Sequence, residues 1–81
     1  MRMVCISNSI DITVGLRLSG VQSFFIKDEQ KIKSKIKEVA QDSEVGILNV
    51  TESVYEIAKE ELEEISNTQN LPLIVTIPNT K

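Results

Sequence analysis

The chain has no histidine and no tryptophan, one cysteine, two prolines, and only Phe24, Phe25 and Tyr55 for aromatics. Without histidine it lacks the commonest general base, the commonest metal ligand and the usual partner of a serine or cysteine nucleophile. So few aromatic side chains cannot build the stacking platforms on which single-stranded nucleic acid is held. A net charge of −3 points away from nucleic acid as well, since phosphate backbones are bound by clustered Lys and Arg. Cys5 on its own can form neither an internal disulfide nor a thiolate zinc site. With no cleavable apolar leader in the sequence, a reducing, cytoplasmic setting is expected. No apolar run approaches the length of a bilayer span, so no direct membrane insertion is expected.

What is present is the composition of a small globular domain: 81 residues, 41% of them hydrophobic and 26% charged. That length allows one domain, residues 1–81, near the lower limit of self-sufficient folding. Four short apolar runs rich in β-branched residues read as strands, Met3–Ile6, Val21–Lys27, Val45–Val50 and Leu73–Ile77. Between the second and third, Ile32, Ile36, Val39 and Ala40 recur at i, i+4, i+7 and i+8, which predicts a helix over Glu29–Gln41 with a lysine-rich outer face. Between the third and fourth, Val54, Ile57, Ala58, Leu62 and Ile65 predict one helix over Glu52–Ile65, capped by Thr51 or Ser53. The first connection is shorter. Asp11 or Thr13 is placed to cap a helix through Leu18, Val14 and Leu18 lie one turn apart, and Gly20 suits a left-handed exit. Gly15 inside that helix is expected to let it lie close against a strand.

Alternating strands and helices define an α/β, Rossmann-like (receiver-like) domain with an open parallel four-stranded sheet and three helices. Strands one and three are the most continuously apolar and belong in the centre, whereas Gln22, Ser23 and Thr76 suit edges. The expected order is 2-1-3-4, since crossovers are right-handed in about 98% of cases. One helix then covers one face and two the other, leaving the first face bare over strands three and four.

The residues carry no catalytic constellation. In such a sheet a ligand crevice lies at the carboxyl ends of strands one and three, here lined by Ser7, Asn8, Ser9, Asp11, Thr51 and Glu52. Neither GxGxxG nor GxxxxGK[ST] occurs, so no nucleotide cofactor is expected. A receiver-type site needs an aspartate after strand three and acids after strand one to hold Mg²⁺. Here those positions read Asn49 to Glu52 and Ser7 to Ser9, and Glu52 reads as a first-turn helix acid rather than a metal ligand. Cys5 is followed six residues on by Asp11 instead of the arginine of a phosphatase loop, and it reads as a buried structural thiol. Lys27, Lys31, Lys33, Lys35 and Lys37 read as a solvated face balanced by the glutamates of the third helix.

Asp11–Val21 (DITVGLRLSGV), Val45–Glu52 (VGILNVTE) and Leu71–Pro78 (LPLIVTIP) resemble three segments of the F subunit of the rotary V-type and A-type ATPases, written DTVxGFRLAGV, IGIILITE and LPAIVEIP. Gly15, Gly20, Thr51, Glu52, Pro72 and Pro78 match in order and spacing, over essentially the whole chain. Ser7 and Asn8 stand where the family carries Gly-Asp. The resemblance implies a Rossmann-like fold and a non-catalytic rotor component of the central stalk. Such a component binds the coiled coil of the stalk's D subunit and helps couple ATP hydrolysis or synthesis to ion transport. Family members continue into a C-terminal helix that contacts the A/B catalytic hexamer, and the sequence given stops at Lys81, so that contact is expected to need the missing tail. A degenerate receiver-like or phosphotransfer domain is the alternative from another class. For the partner surface, edge strand two and the first helix are expected to contribute Leu16, Arg17, Gln22, Ser23, Phe24, Phe25 and Lys27, because consecutive Phe24 and Phe25 must point to opposite faces.

Overall fold

The computed structural model describes residues 2–79; the expected break from the family after Lys81 lies outside them. The element order is β1 (Arg2–Ser7), α1 (Ile10–Leu18), β2 (Gln22–Phe25), α2 (Glu29–Ala40), β3 (Val45–Thr51), α3 (Glu52–Ile57), α4 (Lys59–Thr68) and β4 (Leu73–Ile77). All strands pair in parallel, in the order β2-β1-β3-β4. The two most apolar strands are therefore central, as their composition requires.

Register assigns the faces. Val4 pairs with Leu48 and Leu48 with Ile74, while Ile6 pairs with Phe24 and Val50, so these side chains share one face of the pleat. Against that face pack Ile32, Ile36 and Val39 of α2, Val54 of α3, and Leu62 and Ile65 of α4, forming the hydrophobic core. The opposite face carries Met3, Cys5, Ile47, Asn49, Leu73 and Val75. Among the described residues α1 is the helix that packs there, against β1 and β2. Its C-terminal exit is through Gly20 at φ +88°, a left-handed conformation that costs glycine nothing.

Three local expectations change. The predicted single helix Glu52–Ile65 is two helices, so the described residues hold four helices, not three. Ala58, at φ −114° and ψ 30°, leaves the helical region. Its N–H still donates to the Val54 carbonyl (3.0 Å) and its carbonyl accepts from Leu62 (2.9 Å), so the kink leaves both groups bonded. The break gives Glu60 and Glu61 places in the first turn of a new helix, where the positive end of the helix dipole favours carboxylates. Because Val54, Ala58, Leu62 and Ile65 all stay in the core, the apolar period runs through the kink and hides it.

The first helix begins earlier than Asp11 or Thr13 implied. Ser9 is its N-cap, accepting the Ile12 N–H at 3.4 Å, and the Ser9 carbonyl accepts from the Thr13 N–H and hydroxyl at 3.1 and 2.8 Å. Thr13 is thereby the buried residue of the helix and not its cap. Gly15, finally, is exposed and has nothing within 4 Å of where a Cβ would stand. It permits no close approach to a strand.

Candidate docking surface

The crevice at the carboxyl ends of β1 and β3 is closed by its own side chains. Ser7 Oγ donates to the Ser9 carbonyl (3.1 Å) and accepts the Ser9 N–H (2.9 Å). Thr51 Oγ1 caps α3 by accepting from Val54 (3.4 Å) and donates to Asn8 Oδ1 (3.3 Å). Glu52 accepts the Asn79 N–H at 3.2 Å, a first-turn acid holding the chain after β4. Among the described residues no three His, Cys, Asp or Glu side chains gather as a metal site would require. Burial pushes the Cys5 thiol up to about 11, so at neutral pH it is protonated and inert as a nucleophile.

Charge is arranged for solvation. The ion pairs among the described residues are Arg2–Asp42 and Lys35–Glu38, neither of which joins the lysine-bearing α2 to the glutamates of α4. Lys37, Glu61 and Glu64 line one shallow groove between those helices without direct contact. The Asp42 carboxyl is held low by the Glu44 N–H and by Arg2.

The residues expected at a partner surface separate into two groups. Phe24 faces the core and its ring lies 4.1 Å from the Lys35 ammonium, a cation–π contact on the α2 side. Ser23 is buried, its hydroxyl donating to the Val21 carbonyl at 3.2 Å. Gln22 accepts from Arg2 at 3.0 Å. Leu16 is half-buried. Facing solvent are Gln22, Lys27, Arg17 and Phe25, the last 39% exposed on the α1 side of the sheet.

Beside them lies a feature the strand pattern did not reveal. Ile10, Val14 and Leu18 are 53%, 47% and 85% exposed, and at i, i+4 and i+8 they form one ridge along α1. The same period that marks a buried stripe elsewhere is turned outward here. Arg17, adjacent to this ridge, reaches the Ser23 carbonyl on β2, which places the ridge on the β2 side of α1. Phe25 ends β2 at the level of the first turn of α1, since α1 runs back against the strands from Ile10. The ridge and Phe25 together make an apolar surface along the β2 edge. Val14 and Leu18 were legible as a helical pair, but only the fold reveals which way they point.

An open parallel α/β sheet of Rossmann-like type, with its crevice self-bonded and an apolar helix ridge in solvent, is the class of domain this chain defines. The sequence pattern of the family ATP synthase (F/14-kDa) subunit matches residues 3–81, and the chain belongs to that family. No curated protein matches it by sequence. Among solved structures it is similar to the F subunit of the V-type ATP synthase from Archaeoglobus fulgidus, at 16% identity and a TM-score of 0.72. The match covers 94% of this chain and 95% of that one, and at that identity it establishes a shared fold. Among the described residues no helix is long and apolar enough to cross a membrane.

Proposed function

We propose that this chain is a non-catalytic rotor component of the central stalk of a V/A-type ATPase, docking on the coiled-coil D subunit. In that place it is cytoplasmic, peripheral to the membrane, and helps couple ATP turnover in the A/B hexamer to ion transport. The observation that carries this reading is the ridge Ile10–Val14–Leu18, exposed in a domain small enough to need every apolar residue inside. A row of side chains at i, i+4 and i+8 is the element one helix inserts into the groove of another, so its natural partner is a helical rod.

Phe25 and Arg17 extend the ridge at the β2 edge, and of the expected residues these two, with Leu16, Gln22 and Lys27, remain at the proposed contact. Ser23 and Phe24 support it from beneath, through the backbone of β2 and the core. The test is binding of the purified D subunit to the chain and to its Leu18→Asp and Phe25→Asp variants. Loss of binding with retained fold supports the assignment; full binding by both variants removes it.

A further inference from the structure

Gly15 is the sixth of nine residues in α1, and nothing inside the domain calls for a glycine there. After proline, glycine is the least favourable residue in a helix interior. It is required where φ is positive, or where another part of the molecule comes too close for a Cβ. Among the described residues positive φ is confined to Gly20, and a Cβ at Gly15 would meet no atom within 4 Å. The open space lies on the solvent side. Thr13 marks the flank of α1 that is buried against the sheet, and at about 100° per residue Gly15 stands about 200° from it, on the outermost line of the helix. Val14 and Leu18 of the exposed ridge lie beside it, so that Gly15 is the floor of a notch with apolar side chains along one wall.

We infer that Gly15 is the point at which a helix of the coiled-coil partner crosses α1, its missing Cβ letting the two backbones approach more closely than any other residue allows. This rests on the proposed docking of a coiled coil on the same face. The geometry of the notch selects a helix. An extended segment joins a sheet edge through backbone hydrogen bonds, which the interior of α1, with its N–H and C=O groups paired within the helix, does not offer. Packed helices lie about 8–10 Å apart, a distance set by the side chains at the contact, and a ridge of one fills the groove beside a ridge of the other. The groove beside the Ile10–Val14–Leu18 ridge runs over Gly15. There it is deepest, so a large apolar side chain of the partner can enter while the helices stay at the short end of that range.

The test pairs titration calorimetry of the purified D subunit with thermal unfolding, for the parent chain, Gly15→Ala, Gly15→Gln, Leu18→Asp and Phe25→Asp. Both Gly15 variants are expected to unfold at or above the parent's midpoint, since alanine and glutamine suit an exposed helix better than glycine. They are nevertheless expected to bind the D subunit about fivefold and about fiftyfold more weakly, in order of side-chain size, because a close contact has no room for added atoms. A purely local role for Gly15 would raise stability and leave affinity alone. Parent-like binding by Leu18→Asp and Phe25→Asp removes the docking surface and this inference together. Loss of binding in Leu18→Asp with parent affinity in both Gly15 variants leaves the docking surface standing and overturns the crossing point. A chain that dimerises alone in sedimentation velocity, and no longer does so as Gly15→Gln, overturns it too, because the occupant is then a second copy.

Discussion

The Arg17 guanidinium donates from Nε and Nη2 to one backbone oxygen, the carbonyl of Ser23, at 3.1 and 2.9 Å. That bond ties the last turn of α1 to edge strand β2 and fixes the flank of the helix on which Ile10, Val14 and Leu18 stand. Arg17→Ala is expected to cost about 1.5 kcal/mol, the low end for a bond from a charged donor, because the site is partly exposed. Arg17→Lys should recover only part of this, because a single ammonium cannot reproduce the two-nitrogen fork. Urea unfolding of both variants measures it.

The two glycines flanking that turn are predicted to respond in opposite directions. Gly15→Ala gains up to about 1 kcal/mol of helix propensity with nothing in its way. Gly20→Ala forces a side chain into φ +88° and should lose about 1 kcal/mol or more. In a domain of this size each change moves the thermal midpoint by roughly 4–8 °C per kcal/mol, which calorimetry resolves.

Thr51 joins the cap of α3 to the β1 loop through Val54 and Asn8, and it is fully buried. Thr51→Val keeps the shape and removes both bonds, with an expected loss of about 1–2 kcal/mol. Thr51→Ser keeps the hydroxyl and should lie between the two.

Burial of Cys5 makes stability fall on the alkaline side. The thiol ionises near 9.0 when exposed and near 11 in the fold. Between those values the unfolded chain has lost a proton that the native chain keeps. Stability from this group is thus complete below about pH 9 and declines as pH rises towards 11, by at most about 1.4 kcal/mol per pH unit. Comparing denaturant midpoints at pH 8 and 10 for the parent and a Cys5→Ala variant isolates the contribution; equal slopes in the two would contradict it.

The fold was largely readable because its signals are periodic. Strand positions, the 2-1-3-4 order and the buried stripe of α2 follow from apolar spacing and from the difference between central and edge strands. The kink at Ala58 was not readable, since Val54, Ala58, Leu62 and Ile65 keep one helical period through it. The cap at Ser9 was obscured by Asp11 and Thr13, equally good capping types two and four residues on. The docking surface was half legible. Phe24 and Phe25 had to point apart, but whether Val14 and Leu18 face the sheet or the solvent depends on where Thr13 is buried and what Arg17 reaches. Those are tertiary facts.

On the proposed function, the outward face of α1 with Phe25 holds a coiled-coil partner. Titration calorimetry of the D subunit against the parent chain, Leu18→Asp, Phe25→Asp and, as a control on the opposite side, Glu63→Lys tests it most directly. The expected result is affinity reduced about tenfold or more in the first two variants, as for central apolar contacts, with Glu63→Lys near the parent and all circular dichroism spectra unchanged. Parent-like affinity in both Leu18→Asp and Phe25→Asp would contradict it.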